Sequence, residues 1–396
     1  MSDILKAIAM IWKFPKENIF ECMVLHYLFL KANGYACFSI AGPIESGKIR
    51  TTIVDKLLFL VYLSAGIALW VCVILFFKAP ANVSPLQIIG SRLIWFTCYL
   101  SAVVGVIWNF YNRAKVWSLY VGVFRVDQQL LALGANMRYT MAYLGMIGLS
   151  LVAFAVLLAL IIGHFTEQEF DVLEFFTFTY SNLSLTMLVT IFTIAGSLII
   201  FRLIVLNEIM SKNMVPARGS KIIQVAEKDG IQTIQQYMQI YDQLCDLTET
   251  VNLCYSAQVM ISIAGSFVYL LFFDFEVILN IKRGIPIQEF SLSSVIWSIF
   301  YLSNVIIVVT VGSFLSHQGK YTSNLIDRAI NSTNNAEIIE MLRLFLMQLG
   351  HRTPTLTCGL FPFDWTLVYS VLALKRRERL SFTFLIISFD SIVQAK

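Results

Sequence analysis

Six stretches of the chain contain no Asp, Glu, Lys, Arg or His: Leu57–Phe77, Leu93–Tyr111, Tyr139–Gly163, Phe175–Phe201, Thr250–Phe273 and Phe290–Ser316. A helix needs about 20 mostly apolar residues to cross a bilayer, and each stretch is of that order. None contains a proline, and charges bound several of them, as Glu174 and Arg202 do the fourth. Only a helix satisfies its own backbone in lipid as an open chain. The pattern predicts an all-α membrane protein with six clear transmembrane helices.

Other rhythms lie between the runs. Ile231, Ile234, Met238, Tyr241 and Cys245 recur at alternating three- and four-residue steps, and so do Ile338, Leu342, Phe345 and Leu349. Both predict amphipathic helices with a coiled-coil-like seam, one extending the fifth span and one preceding a seventh, together forming an anchor layer. Ile19–Leu30 is apolar but short and holds Glu21 and His26, which predicts an interfacial or re-entrant helix. The seventh candidate is Leu360–Leu374, and Lys375, Arg376, Arg377, Glu378 and Arg379 then intrude before "LSFTFLIISF". It is short or interrupted. The expected segments are 1–56 with the interfacial helix, spans 1–4 over 57–201, a helical loop at 202–249, spans 5–6 over 250–316, an anchor helix at 317–358, and the pore segment and tail at 359–396.

Composition agrees with lipid as the solvent. The 396 residues are 58% hydrophobic and 14% charged, where a soluble domain carries roughly 25% charged residues. The net charge of +4 is unevenly placed, which speaks of orientation and not of nucleic acid. With a cytoplasmic N-terminus, the segments inside hold 20 Lys and Arg before any seventh crossing, against 4 in the three outer loops. That bias predicts a multi-pass protein with its N-terminus inside. His164–Glu174, with four acids and no Lys or Arg, is then an outer loop. The sequon at Asn82 is predicted to be glycosylated; that at Asn331 falls inside, and that at Asn182 lies at membrane depth.

Catalysis and cofactors find little support. Seven scattered cysteines form no CxxC pair, the four histidines have no HExxH or ligand-like spacing, and no metal or cofactor is expected. "GPIESGKI" (Gly42–Ile49) approaches a phosphate-binding loop but ends in Ile49, without the hydroxyl that would bind magnesium. Intramembrane enzymes need ionisable residues within their spans, and the six runs have none. A receptor coupled to G proteins would show D/E-R-Y and NPxxY and an outside N-terminus; a transporter would show broken helices and a charged midplane. A ligand pocket between helices is harder to read, because small residues and hydroxyls also serve close helix packing and bonds to backbone carbonyls. Thr177, Tyr180 and Asn182 lie in the outer part of the fourth span, and in the sixth Ser291, Ser294 and Ser298 recur at helical spacing with Trp297 and Tyr301 one turn apart. Hydroxyls, an amide and aromatic rings suit a small polar or amphipathic molecule between helices.

The stretch Phe345–Ala373, "FLMQLGHRTPTLTCGLFPFDWTLVYSVLA", resembles the C-terminal signature of insect gustatory receptors. Phe345, Gln348, His351, Arg352, Gly359, Leu360, Phe361 and Asp364 match that signature in order. The resemblance implies a ligand-gated cation channel of four subunits, with a tastant pocket in the outer halves of the helices. It also implies a cytoplasmic anchor, a pore lined by the seventh helix, and other gustatory receptor subunits as partners in a homo- or hetero-tetramer. The family is similar to the insect odorant receptors. The family ends in Thr-Tyr, five apolar residues and Gln-Phe. Here Thr383 and Phe389 match, Phe384 and Ser388 do not, and the apolar middle is two residues short. The charges at 375–379 would cost roughly 2.5–3.5 kcal/mol each at mid-bilayer. The alternative is therefore a non-conducting accessory subunit or splice variant without a complete pore helix.

Overall fold

The computed structural model describes residues 14–40, 48–76, 85–167, 172–214, 227–282 and 292–370. Asn82, the charges at 375–379, the pore candidates Thr383, Phe384, Ser388 and Phe389, and the side chains of Thr177 and Ser294 lie outside the described residues. In chain order the elements are α1 (Ile19–Ala32), β1 (Ser39–Ile40), β2 (Ile49–Arg50), α2 (Ile53–Phe76), α3 (Pro85–Tyr111), α4 (Arg113–Ala132), α5 (Tyr139–Glu167), α6 (Val172–Met214), α7 (Glu227–Lys282), α8 (Leu292–Ser332) and α9 (Ala336–His351).

Among the described residues six helices are long and apolar enough to span a membrane, and they carry the six charge-free runs. Their burial differs. α2 and α5 turn large apolar side chains outward, among them Leu57, Val61, Leu75, Leu151, Val152 and Ile162, as helices in a lipid solvent do. α6 is apolar on every side and lies inside the bundle, with Phe192, Ile199, Leu203 and Leu206 fully buried, packed between α3, α7 and α8.

At 1.5 Å per residue, α6 is about 65 Å long and α7 about 84 Å, far more than a ~30 Å hydrocarbon core. α6, α7 and α8 therefore continue without a break into a second layer with α4 and α9. The expected boundaries at 201/202, 249/250 and 316/317 fall inside continuous helices. Arg202 follows directly on the fourth charge-free run. It is buried in α6 and grips Asp127 of α4 through two hydrogen bonds of 2.8 Å each, with Leu198 O taking a third at 3.1 Å. Leu342, Phe345 and Leu349 of α9 are buried as the seam requires, and Asn335 caps that helix by accepting from the Glu337 and Ile338 amides. In α7 the buried face is broader than the seam: Tyr237, Ile240, Leu244 and Leu247 are buried, whereas Ile231 and Met238 are only half-buried.

α1, expected as an interfacial or re-entrant helix, is packed against protein along its length. No residue from Ile19 to Lys31 is fully exposed, and the helix packs on α4 and α5. Its end is tied to α2, where the Asp55 carboxylate accepts from Lys31 Nζ (2.8 Å), Ser39 Oγ (3.0 Å) and the Thr52 amide (2.8 Å). β1 and β2 pair antiparallel, so a strand follows Lys48 where a phosphate loop would open a helix.

Burial pushes the His26 imidazole of α1 down from 6.5 to about 4; the groups around it are Tyr27, Tyr35, Tyr120, Tyr255 and Trp117, with no carboxylate among them. The unfolded chain then binds the extra proton first, so stability is intact above pH 6.5 and declines as pH falls toward about 4. The full loss is about 3 kcal/mol. We expect thermal melts of wild type to fall over this window and those of His26→Leu to stay flat; parallel curves would refute the assignment.

Candidate functional site

Five helices converge at the end of the bundle opposite α9. α3 brings Cys98, α5 brings Leu157, Leu160 and Ile161, and α6 brings Asn182 and Leu185. α7 brings Tyr269, and α8 brings Trp297, Phe300 and Tyr301. Asn182 lies about 15 Å along α6 from its first residue. Its Oδ1 accepts from Tyr301 Oη at 2.9 Å, and Cys98 Sγ lies 3.8 Å from the same hydroxyl. The Tyr269 and Tyr301 rings lie 4.3 Å apart between centroids at 30°, with Trp297 at 6.1 Å from Tyr301 and Phe300 edge-on to both Trp297 and Tyr301. An amide, two phenols, an indole and a thiol thus meet in one packed apolar cluster. Such a set orients a small, largely apolar molecule through one or two hydrogen bonds and a ring face.

Of the residues read from sequence, the structure joins Asn182, Trp297 and Tyr301. Tyr180 is not with them: its hydroxyl donates to Tyr62 O of α2 at 3.0 Å. Two residues on a helix stand about 200° apart, so Tyr180 and Asn182 face different neighbours. Cys98, Tyr269 and Phe300 were missed, since nothing in their local pattern separates them from other lipid-span residues. Below the enclosure a polar seam continues between α3 and α7. It runs from the Ser101–Ser262 hydroxyl pair (2.9 Å) to Asn109 Nδ2, which donates to Gln258 Oε1 (3.2 Å).

The stretch after α9 forms a strap across α7 and α8. Phe345 is fully buried edge-on to Tyr241 at 5.9 Å, and Gln348 Nε2 reaches Met238 O at 3.4 Å. His351 is exposed. Arg352 holds three α7 carboxylates, Asp242 (2.5 Å), Asp246 (2.6 Å) and Glu249 (2.9 Å), which raise its own affinity for the proton. Asn252 of α7 clamps the next turn, donating to Thr355 O and accepting from the Thr357 amide. Gly359 turns the chain at φ +84°, a conformation that disfavours side chains, and Leu360 projects 80% exposed at the tip. Asp364 then accepts from the Thr366 amide at 2.9 Å, capping the helical turn 365–370 from which the last segment departs.

Phe361 was singled out in the sequence, yet it is only partly buried. The anchor is Phe363, fully buried edge-on to Phe192 of α6 at 5.6 Å. Its carbonyl lies over Gly312 of α8, where an added Cβ would stand 1.8 Å from the oxygen. Phe363 N donates to Leu356 O at 2.8 Å and Trp365 N to Ser313 Oγ at 3.2 Å, so the strap is fixed at both ends.

A family model described as 7tm Chemosensory receptor matches residues 24–374. The Drosophila melanogaster protein named "Putative gustatory receptor 28a" is 23% identical over 307 residues, which cover 66% of this chain and 68% of that protein. "Putative gustatory receptor 28b" of the same organism is 24% identical over 223 residues, 50% of this chain and 47% of that one, so the match spans about half its length. Among solved structures, the insect olfactory receptor OR5 from Machilis hrabei superposes with a TM-score of 0.66 at 10% identity, covering 92% of this chain and 98% of that one. The same receptor in complex with eugenol gives 0.53 at 11%, covering 91% and 96%. At such identities these likenesses show the fold.

Proposed function

The chain belongs to the 7tm chemosensory receptor family, as a multi-pass membrane receptor, and on that premise we propose that it is a gustatory receptor subunit that opens a cation channel when a small-molecule tastant binds. The observation that carries this reading is the Asn182–Tyr301 pair inside its aromatic enclosure, built on α6, α7 and α8, the same helices that hold the strap leading to the last segment. The neighbouring olfactory receptor has been solved with the small molecule eugenol, which supports a ligand at a comparable fold. In this reading the N-terminus and the α4–α9 layer are cytoplasmic and the enclosure is outward. Assembly is as a tetramer, alone or with other subunits, at the plasma membrane. A ligand acts by binding the open arrangement better than the closed one.

A second reading rests on one observation, the five charges at 375–379 where the last helix should continue. It makes the chain an accessory subunit that assembles but does not conduct. Both are tested by whole-cell currents under a tastant panel, from cells expressing the chain alone, the chain with residues 375–379 replaced by leucines, and the chain with a related receptor. Currents from the chain alone support the channel. Currents only after the replacement, or only with the relative, support the accessory role, and silence in all three sinks both. Where currents appear, Tyr301→Phe and Asn182→Ala should each raise the half-maximal concentration by about tenfold, the worth of one buried hydrogen bond. Unchanged dose curves would move the ligand elsewhere.

A further inference from the structure

A second enclosure lies in the α4–α9 half, away from the candidate pocket. It has a volume of about 30 Å³ and is lined by His26 of α1, Tyr35, Asn109 of α3, Trp117 and Tyr120 of α4, and Tyr255 of α7, among apolar neighbours. His26, Trp117, Tyr35, Tyr120 and Tyr255 are all buried. Among the described residues no group satisfies either ring nitrogen of His26 or the indole N–H of Trp117. The hydroxyls of Tyr35, Tyr120 and Tyr255 likewise lack a partner in ordinary hydrogen-bond geometry, although Tyr120 and Tyr255 lie near each other and Tyr35 lies near Ser184. Isolated unsatisfied groups are tolerated in folded proteins, but several around one small space point to a polar guest. Each left unpaired costs roughly 1–3 kcal/mol, and such a sum would consume much of the stability of a fold.

The size and the chemistry of the lining identify the guest. One water needs about 10–15 Å³ by this measure and two to four polar partners, so the space takes one or two. Trp117 can only donate, a neutral His26 donates at one nitrogen and accepts at the other, and each tyrosine does both. The guest must therefore accept and donate through one small centre, which excludes an anion, a metal ion and any molecule of tastant size. We propose that this enclosure is an internal water site, in which one or two water molecules bridge His26 and Trp117 to the tyrosine hydroxyls. They join α1 to α3, α4 and α7. The docking of α1 then depends on exchangeable partners, unlike the fixed Arg202–Asp127 pair, and the proposal stands or falls independently of the tastant reading.

The sign of an isosteric change tests it. In the full-length receptor in nanodiscs, Tyr120→Phe/Tyr255→Phe removes two hydroxyls and leaves the rings. In a dry enclosure the loss of two unsatisfied groups raises the melting temperature or leaves it unchanged, which would overturn the proposal. In a hydrated one the waters lose partners and the melting temperature falls by several degrees. A second measurement does not depend on a variant: a cryo-EM map resolving ordered water should show density within hydrogen-bond reach of both His26 and Trp117. Clear waters elsewhere in the core and none there would refute the site.

Discussion

Arg202→Ala is expected to cost 3–5 kcal/mol, enough to remove most folded receptor from the membrane, because it strands Asp127 as a buried carboxylate without its partner. The guanidinium meets both carboxylate oxygens at 2.8 Å, and neither side chain is measurably open to solvent. Asp127→Ala should be as damaging, for it leaves the guanidinium buried without its carboxylate. The pair itself is replaceable. Two apolar side chains of similar volume avoid the desolvation of both charges, so Arg202→Met/Asp127→Leu should return to within about 1 kcal/mol of wild type. Surface abundance and thermal melts of the solubilised receptor read all three. A single variant as stable as wild type would mean that the pair does not hold α4 to α6.

In the channel reading proposed above, Gly312→Ala is expected to abolish ligand-evoked current while the spanning helices still fold. The added methyl would meet the Phe363 carbonyl carbon at 2.9 Å as well as its oxygen. These are backbone atoms, so no rotamer change relieves the contact, and the strap must lift from α8. Phe363 would then leave its place against Phe192, and losing a buried phenyl costs about 3–5 kcal/mol. For the same reason Phe363→Ala should not rescue Gly312→Ala. Gly145→Ala is the control, since nothing lies within 4 Å of its Cβ position. It should conduct normally and gain about 0.5–1 kcal/mol from helix propensity. If Gly312→Ala kept full current, the strap would not be a required link.

The spans were legible because lipid imposes a rule with few exceptions, and charge-free runs of about 20 residues obey it. Their ends were not, because the rule covers lipid and not protein. Arg202 lies beyond the fourth run and is buried all the same, with a carboxylate arriving from a helix some seventy residues earlier. The α9 seam was legible as one stripe against α7 and α8, whereas α7 touches α3, α4, α6, α8 and α9 and buries more than a stripe. In the enclosure, helical spacing alone brought Trp297 and Tyr301 together. Cys98 and Tyr269 enter only through the packing of whole helices, which no local pattern carries. Phe361 and Phe363 are alike in sequence, yet only Phe363 is fully buried.

The unbroken course of α7 has a mechanical consequence. Tyr269 in the enclosure and Asn252 under the strap are seventeen residues apart on one rod, about 25 Å. A stiff rod has no separate messenger: tilting it by about 5° about one end displaces the other by about 2 Å, more than half a hydrogen-bond length. If a ligand occupies the cluster as proposed, leaning on Tyr269 would make it a hand on a lever, and what it would move at the far end is the strap from which the last segment departs.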